Sequence, residues 1–406
     1  MMKRVAIIGG GASGLMAACF AAGDGNAVVI FEKQKKIGRK ILVSGNGRCN
    51  ISNRHLSIDK YHGKNTRFVH NVFARFGLEE TIDYFASIGL PLVEEKNGKL
   101  FPASLQSATV VRLFEYELLR KKVEVRTHRK IERIIRCGKA FKLVTAGHEE
   151  EVFDAVILAA GSCAYPPAGG SRDGYDLAAQ MKHKVYEPFP AILPVNIPLK
   201  MVHRLQGIKW DSALSVVHKG TVTASSEGEL LFTAYGISGP ASLDISRAVN
   251  ETLIGNGEPS ILVDLYPGYQ YHELEHLLDA LWSDASKSVS FSLIGIMKTP
   301  MPEVILKIAG IDPDRKVGDL GREEKRKLVN TLKNLELVPG KPRGFNEAVV
   351  AAGGVDVNEI NPATMESRIV PGLFITGELL DVDGDSGGYN LQFAWSTGAV
   401  AGLAQH

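Results

Sequence analysis

The N-terminal residues alternate between apolar runs and glycines in the pattern of a βαβ unit. Residues 5–8 form a short apolar run, the glycines within residues 9–14 turn the chain, and the small residues of 15–22 predict a helix. A second apolar run at residues 27–31 predicts the next strand. Because a helix joins the two strands, we expect them to lie parallel in one sheet.

Helical and strand periodicities continue to about residue 190. Apolar residues recur at helical spacing over residues 65–88 and 108–120, which predicts two helices. Between residues 123 and 144, β-branched residues alternate with basic ones and predict strands. Residues 151–161 (EVFDAVILAAG) then predict a buried strand that ends in glycine. These elements extend the first domain over residues 1–190.

The pattern changes after residue 190. Short apolar runs separated by Gly, Pro and Ser predict an inserted β-rich domain over residues 191–270. Residues 271–340 are more helical and charged, with GREEKRKLVNTLKNLE the clearest amphipathic stretch, and predict a small helical domain. A linker at residues 339–342 returns the chain to the first domain, which residues 341–406 complete.

Composition and charge narrow the class of protein. The 42 glycines among 406 residues cluster in short runs toward both ends, where backbone approaches a large ligand or turns tightly. A formal net charge of +2 does not describe a protein that coats nucleic acid. The four cysteines form no C-x-x-C pair and the histidines show no ligand spacing, so we expect no metal site and a cytoplasmic location. No apolar run is long enough to predict a membrane span.

The first chemical motif is Gly9-x-Gly11-x-x-Gly14, which encloses Ala12 and Ser13 between the first strand and the first helix. Glu32 follows at the end of the second strand. Such glycines let the backbone approach a pyrophosphate, the helix N-terminus stabilises its charge, and the carboxylate accepts hydrogen bonds from ribose hydroxyls. The structural alternative is a glycine-rich turn beside a surface glutamate. Strand, helix and acid together favour a dinucleotide site.

Two later segments favour FAD over NAD, which share the ADP half that this motif binds. Residues 156–161 resemble the return strand of two-dinucleotide-fold flavoproteins and end at Ala160 and Gly161. Residues 372–384 resemble the C-terminal strand of those proteins, and we expect Gly377, Glu378 and Asp381 to lie at the ribityl and pyrophosphate part of FAD.

A glycine pair precedes the predicted C-terminal helix. Gly387 and Gly388 are followed by Tyr389, Asn390 and Leu391, whose amides we expect to face the pyrimidine edge of the flavin. The positive end of the helix dipole would stabilise the anionic reduced flavin there. No Lys or Arg follows Arg368, so the helix end would be the main local source of positive potential. An ordinary glycine-started terminal helix is the alternative.

Residues 38–50 (GRKILVSGNGRCN) have the composition of a ligand-binding loop, with many small residues and little to bury. We expect this loop to wrap the cofactor through the following residues: Ser44, Gly45, Gly47, Arg48, Cys49 and Asn50. It would bring Cys49 near the reactive face of the flavin as a candidate catalytic residue. A packed small thiol is the alternative.

A basic cluster lies next to the presumed adenosine site. We assign three of its members, Lys33, Arg39 and Lys40, to cofactor binding; Lys35 and Lys36 complete it. Charge runs are usually solvated loops, and the sharper alternative is a phosphate-contacting patch for a nucleic-acid substrate.

A glycine-rich turn is predicted at residues 228–240 (GELLFTAYGISGP), after a strand. Its polar tip carries Tyr235, the second candidate catalytic residue, and would line the substrate pocket. A domain hinge is the alternative.

The chain closely resembles the BaiN/RdsA (YhiN-type, aminoacetone-oxidase-like) NAD(P)/FAD-dependent oxidoreductases over nearly its full length. The segments that carry this resemblance are GGGASGL at 9–15, GRKILVSGNGRCN at 38–50, GKLFP at 98–102, GGSRDGYDLA at 169–178, GELLFTAYGISGP at 228–240, AAGGVDVNEINPATMESR at 351–368 and GELLDVDGDSGGYNLQFAWSTG at 377–398. The resemblance implies an α/β fold, namely a two-dinucleotide-binding (Rossmann-type, glutathione-reductase-like) FAD domain with an inserted β-rich domain and a small helical domain.

The resemblance also implies reductase chemistry on unsaturated substrates. Members of the family have been connected with bile-acid double-bond reduction and with reduction of a uridine in ribosomal RNA to dihydrouridine. Two departures affect substrate choice: Ala234 stands where family members commonly carry histidine, and Asn46 where glycine is usual.

We therefore expect an FAD-dependent oxidoreductase in which NAD(P)H reduces FAD, and the flavin reduces a C=C bond of a small molecule or of a uridine in ribosomal RNA. No second G-x-G-x-x-G appears, so NAD(P)H would visit the flavin only transiently. One alternative is a flavin oxidase with an amine substrate. Another is a non-catalytic, flavin-bearing protein that associates with RNA.

Overall fold

The chain divides into two compact units. A computed structural model describes residues 2–23 and 25–406. The first unit combines Met1–Phe189 with Ala348–His406, and the second consists of Pro190–Glu347. The second unit is thus an insertion within the sequence of the first.

The N-terminal part of the first unit contains twelve strands and six helices among the described residues. The helices are Ala12–Ala21 (α1), Arg39–Val43 (α2), Arg67–Phe73 (α3), Leu78–Ser87 (α4), Ser107–Arg120 (α5) and Asp173–Gln180 (α6). The strands are Lys3–Ile8 (β1), Asn26–Phe31 (β2), Ser52–Asn53 (β3), Tyr61–His62 (β4), Leu92–Glu94 (β5), Lys99–Pro102 (β6), Glu124–Arg126 (β7), Ile131–Cys137 (β8), Ala140–Thr145 (β9), Glu150–Phe153 (β10), Ala155–Leu158 (β11) and Val185–Ala191 (β12).

The second unit also consists of strands and helices. Its helices are Lys200–His203 (α7), Pro240–Ile254 (α8), Tyr271–Leu281 (α9), Val289–Ser292 (α10), Met301–Ile308 (α11) and Arg322–Lys333 (α12). Its strands are Val195–Asn196 (β13), Lys209–His218 (β14), Thr221–Thr233 (β15), Gly236–Ser238 (β16), Ser260–Asp264 (β17) and Leu335–Leu337 (β18). The chain then returns to the first unit through Val350–Val355 (β19), Leu373–Ile375 (β20), Asp383–Gly384 (β21) and Tyr389–Leu403 (α13).

A five-stranded parallel sheet organises the first unit, in the order β20-β11-β1-β2-β7. The last four residues of β1 and all of β11 and β20 are buried, as expected of parallel strands covered on both faces. The C-terminal β20 pairs directly with β11, so both ends of the chain build this sheet. This arrangement confirms the predicted Rossmann-type fold.

Two predicted elements of this unit are wrong in detail. The single helix predicted over residues 65–88 is two helices, α3 and α4, because Gly77 starts α4 and its amide is capped by Glu80. The single strand predicted from residue 151 is also two. β10 pairs antiparallel with β9, and β11 begins after Asp154 in the parallel sheet.

The second unit is built on a six-stranded antiparallel sheet, in the order β13-β16-β15-β14-β17-β18. Its hydrophobic core draws on both segments that the sequence analysis treated as separate domains. Leu214 and Phe232 come from residues 191–270, whereas Leu278 and Leu328 come from residues 271–340, and all four are fully buried in one cluster. We therefore describe residues 190–347 as one unit.

A buried histidine in the first unit makes its stability depend on pH. His183 accepts a hydrogen bond at Nε2 from the Ser367 hydroxyl (2.8 Å) and donates from Nδ1 to Glu359 (2.9 Å), which is the pattern of a neutral ring. Burial lowers the pKa of His183, and the Glu359 carboxylate opposes that shift only in part.

We expect the free energy of unfolding to fall as the pH drops below the ordinary histidine pKa of about 6.5, because the unfolded ring then binds a proton that the folded ring does not. Above that pH the ring is neutral in both states and contributes no dependence. Urea unfolding at several pH values checks this for the wild type and His183→Gln. An equal pH dependence in both proteins would contradict it.

Candidate functional site

The glycine-rich turn after β1 leaves room that no protein atom fills. Gly9 and Gly14 are required by packing, since a Cβ on Gly14 would lie 2.0 Å from the Gly9 carbonyl oxygen. At Gly11 the backbone is extended and a Cβ would meet nothing within 4 Å. Because neither backbone strain nor a protein neighbour requires glycine at position 11, the open space before α1 is the feature that a bound ligand would explain. Ala12 and Ser13 form the first residues of α1 beside it.

Glu32 lies directly beside this turn, at the end of β2. Its Oε2 accepts a hydrogen bond from the Gly10 amide (2.8 Å), and its Oε1 accepts one from the Gln34 amide (2.7 Å). The carboxylate therefore ties the glycine turn to the loop that follows β2. Its position at the carboxyl edge of the parallel sheet is the one that the ribose-binding prediction requires.

The predicted basic cluster is partly neutralised within the protein. Lys33 pairs with Asp173 (2.8 Å), and the Arg39 guanidinium donates to the Pro167 carbonyl oxygen (2.7 Å). Burial would raise the pKa of Asp173, but hydrogen bonds from Lys33, Lys130 and Ser171 hold it well below its usual range. Lys35 and Lys36 are exposed, and neither forms an ion pair with any described residue. The positive charge that the cluster keeps therefore lies on Lys35, Lys36 and Arg39.

Lys40 and Glu378 meet although 338 residues separate them in the sequence. The Lys40 ammonium lies 2.6 Å from Glu378 Oε2, and Glu378 Oε1 accepts a hydrogen bond from the Ala351 amide (3.1 Å). Gly377 precedes Glu378 at the end of β20, and its amide donates to the Thr397 hydroxyl. The neighbouring Thr376 hydroxyl is buried without a hydrogen-bond partner among the described residues.

The carboxyl ends of three parallel strands, β1, β11 and β20, lie at the same edge of the sheet. Ala160 and Gly161 follow β11, as the glycine turn follows β1 and Gly377 follows β20. A Cβ on Gly161 would meet nothing within 4 Å, again leaving open space at the carboxyl edge of the sheet. Ligands of open α/β sheets bind at this edge.

The loop at residues 44–50 folds tightly on itself. Ser44 donates to the Ile41 carbonyl oxygen, Gly45 and Gly47 adopt positive φ, and the Cys49 amide donates to the Ser44 carbonyl oxygen. Cys49 has no exposed surface, and burial raises the pKa of its thiol to about 12, against a hydrogen bond from Ser44. A buried thiol of this kind is a weak proton donor.

Two side chains of this loop face in different directions. Arg48 forms two hydrogen bonds to Glu95 (2.8 and 3.0 Å) and stacks on Phe101, so it braces the loop. Asn50 Oδ1 is buried without a partner among the described residues, and it lies 2.9 Å from a Cβ built on Gly388. Asn50 thus joins the loop to the start of α13.

The N-terminus of α13 lacks a side-chain cap. Gly388 is its N-cap residue, no acidic side chain occupies its first turn, and Tyr389, Asn390 and Leu391 begin the helix. Lys99 of β6 approaches from outside, with its Cε 3.8 Å from a Cβ built on Gly387. Lys99 was not predicted as a site residue, because no spacing in the sequence relates it to residues 387–391. The positive potential here therefore has two sources, the helix end and Lys99.

A histidine–carboxylate pair lies on the adjoining strands. β4 pairs antiparallel with β21, and His62 Nε2 lies 2.7 Å from Asp385 Oδ1. Asp381 precedes this segment, is buried and accepts a hydrogen bond from the Lys64 amide (3.0 Å). His62 and Asp385 are 323 positions apart in the sequence, so no local pattern predicts this pair.

Tyr235 belongs to the second unit, unlike every other predicted site residue. It lies in the turn between β15 and β16, and the Arg343 guanidinium stacks 4.0 Å above its ring. Arg343 also donates to Asn196. The turn is therefore braced within its own unit.

The part of the chain that the structure describes contains no candidate metal site and no candidate membrane-spanning helix. No group of three or more His, Cys, Asp or Glu side chains could hold a metal ion there. Of the helices within residues 2–23 and 25–406, none is both long and apolar enough to cross a membrane.

The residues at the sheet edge fit a flavin dinucleotide. The space at Gly11 suits a pyrophosphate, Glu32 suits a ribose, and the uncapped start of α13 with Lys99 suits an electron-rich ring edge. The buried polar atoms of Asn50 and Thr376 lack protein partners, as expected where a ligand supplies them.

Comparisons with known proteins agree with this fit. The family described as HI0933-like protein Rossmann domain matches residues 3–404. The chain is 36% identical over 406 residues to the 3-dehydro-bile acid delta(4,6)-reductase of Clostridium scindens, covering 99% of each chain. It is 31% identical to the ribosomal RNA dihydrouridine synthase of Haemophilus influenzae, covering 98% of this chain and 97% of that one.

A solved structure shares the fold at low sequence identity. The 3-ketosteroid delta1-dehydrogenase of Sterolibacterium denitrificans, in complex with 1,4-androstadiene-3,17-dione, superposes with a TM-score of 0.53 at 12% identity and 98% coverage of both chains.

Proposed function

The chain belongs to the HI0933-like Rossmann family of FAD-dependent oxidoreductases, and on that premise we propose that it reduces a C=C bond conjugated to a carbonyl group in a small molecule. The observation that carries the proposal is the open, glycine-lined edge of the parallel sheet together with the uncapped α13 terminus. The open sheet edge would accept a dinucleotide, and the α13 terminus would favour the reduced form of its flavin.

FAD would be held by residues from three segments of the first unit. Glu32 would accept hydrogen bonds from the ribose, the glycine turn at residues 9–14 would face the pyrophosphate, and Glu378 with Lys40 would border the ribityl chain. Residues 44–50 and 387–391 would enclose the flavin. When bound, FAD supplies the hydride that the reduction needs. The protein orients the substrate, excludes water and supplies a proton.

A small molecule is the better candidate substrate. The relative from Clostridium scindens is named for reduction of a bile acid, and this chain is more similar to it (36% identity over 99% of the chain) than to the relatives named for ribosomal RNA (31%). Within the basic cluster, Lys33 and Lys40 are already paired with Asp173 and Glu378, so Lys35, Lys36 and Arg39 are the members whose charge could contact phosphates. We propose NAD(P)H as the reductant. We also propose the cytoplasm as the location, because all four cysteines are free thiols.

Ribosomal RNA is the second candidate substrate. Two relatives at 31% identity, from Haemophilus influenzae and Escherichia coli K12, are named ribosomal RNA dihydrouridine synthase. A uridine also presents a C=C bond conjugated to a carbonyl, so the same site chemistry would serve either substrate. Cys49 and Tyr235 stay sequence-based hypotheses for the proton donor.

An anaerobic absorbance titration tests the proposal. We expect NADPH or NADH to bleach the flavin of the FAD-loaded protein, and a 3-oxo-4,6-diene bile acid to restore its absorbance with loss of one double bond. The saturated 3-oxo bile acid is the matched control and is expected to restore nothing.

Other outcomes would each select a different function. Reoxidation by ribosomal RNA alone would select the uridine reaction. Reoxidation by oxygen alone would select an oxidase. A flavin that neither NADPH nor NADH bleaches would contradict a reductase.

A further inference from the structure

The histidine of β4 and the carboxylate of Asp385, which follows β21, have the geometry of a proton donor. His62 Nε2 lies 2.7 Å from Asp385 Oδ1, and the two side chains are 35% and 17% exposed. Because an ionised carboxylate only accepts hydrogen bonds, Nε2 carries a hydrogen and the ring orientation is set. Nδ1 then remains available, since it has no hydrogen-bond partner among the described residues.

The backbone around this pair is firmly held. The Asp385 amide donates to the Lys60 carbonyl oxygen (2.9 Å), and Asn390 bonds to both the amide and the carbonyl oxygen of Gly384. The Lys60 ammonium also lies 3.5 Å from Asp385. These contacts hold the backbone on both sides of the pair in place.

The pair lies close to the start of α13. Asn390, in the first turn of that helix, donates to the Gly384 carbonyl oxygen (2.7 Å) and to the Asp385 carbonyl oxygen (3.3 Å), so the backbone of Asp385 lies beside the helix start. Gly387 and Gly388 occupy the intervening turn. A flavin ring at this terminus would therefore place the substrate next to the His62–Asp385 pair.

Reduction of a conjugated C=C bond needs a proton as well as a hydride. Cys49 is poorly suited, because it has no exposed surface and burial raises the pKa of its thiol to about 12. His62 is partly exposed, and its charge is compensated by Asp385 when both ring nitrogens carry hydrogen.

We infer that His62 is the proton donor of this reductase and that Asp385 is its positioning residue. This inference rests on the proposed function. The hydride and its electron pair that the β-carbon of the substrate accepts would come from FAD that NAD(P)H has reduced. The C=C π bond breaks, the α-carbon takes the proton from His62 Nδ1, and solvent returns a proton to the ring.

Single-turnover reoxidation tests the inference with the FAD-loaded protein. After anaerobic reduction by NADPH, we expect His62→Gln to be reoxidised by the 3-oxo-4,6-diene bile acid at least 100-fold more slowly than the wild type, a typical general-acid effect. Flavin content and the rate of reduction by NADPH are expected to stay unchanged. His70→Gln, an exposed histidine on α3, is the matched control.

Chemical rescue and a spectroscopic signature separate a proton donor from a structural side chain. Added imidazole should restore part of the reoxidation rate of His62→Gly, because the free ring can deliver the missing proton, and it should leave the wild-type rate unchanged. In ¹⁵N NMR of selectively labelled histidine, the wild type should carry its ring hydrogen on Nε2 of His62, and Asp385→Ala should lose this tautomer preference.

Three results would overturn the inference. Wild-type turnover with an equally fast His62→Gln would exclude His62 while leaving the reductase function intact. An Asp385→Ala variant that keeps the ring hydrogen on His62 Nε2 would exclude the positioning role. A wild type that NADPH reduces but the diene does not reoxidise would contradict the proposed function and this inference with it.

Discussion

Gly11→Val is expected to fold and to be purified without FAD, with binding weakened at least 100-fold. The backbone at position 11 is extended, and a Cβ there meets no protein atom within 4 Å, so the protein itself tolerates the larger residue. The added side chain would instead occupy the space where the pyrophosphate must approach the helix terminus. Valine is a poorer N-cap residue than glycine, which costs about 1 kcal/mol of stability. Titration of the apoprotein with FAD measures the loss.

The matched control is Gly147→Val, at an exposed turn of the same unit where a Cβ contacts only the Thr145 hydroxyl at 3.7 Å. This variant should bind FAD as the wild type does. Thermal unfolding adds a second measurement, because FAD should raise the midpoint of the wild type and of the control but not of Gly11→Val. Normal FAD binding by Gly11→Val would contradict the assignment of this turn to the cofactor.

Gln392→Leu is expected to destabilise the first unit by about 3 kcal/mol, because it leaves several buried polar groups without hydrogen-bond partners. Gln392 has no exposed surface, and its Oε1 accepts a hydrogen bond from the Ser52 hydroxyl (2.6 Å). Its Nε2 lies within hydrogen-bond distance of the Gly77 carbonyl oxygen and the Thr81 and Ser396 hydroxyls. Leucine has a similar volume but satisfies none of these groups.

Urea unfolding of the apoprotein measures this loss without any contribution from FAD. Gln180→Leu is the matched control, because Gln180 is exposed and donates only to the Glu132 carbonyl oxygen. Its stability should change by less than about 0.5 kcal/mol. An equal effect of the two substitutions would show that the buried network around Gln392 is not specific. Since Ser52 follows the loop at residues 44–50, a real loss should also weaken FAD binding.

The Rossmann-type fold was predictable because its signals are local. The apolar strand before Gly9, the small-residue helix after it and Glu32 at the end of β2 all lie within 32 residues, and the structure places them as expected. The pairing of β20 with β11 was predictable only by analogy with flavoproteins. The break between α3 and α4 was missed, because helical spacing of apolar residues continues across Phe76 and Gly77.

The candidate site was only partly predictable. Glycines and a carboxylate at fixed spacing identify a dinucleotide motif, since the spacing itself is the chemical requirement. The sequence assigned Lys33 and Lys40 to the cofactor, yet the structure gives each a carboxylate partner, Asp173 and Glu378. From the sequence we also expected Cys49 to lie near the reactive face of the flavin, whereas the structure buries its thiol completely. Ion pairing and burial depend on neighbours that a single segment does not contain.

The sequence by itself determined the class of cofactor, the family and the parallel sheet, because each follows from short segments whose backbone and spacing requirements are strict. Only the tertiary structure decided which side chains meet. Lys99 reaches the α13 terminus from β6, and His62 meets Asp385 across 323 residues, through strand pairing that no local pattern encodes. Site chemistry depends on distances of a few ångströms between remote segments, and those distances are set by the packing of the whole unit.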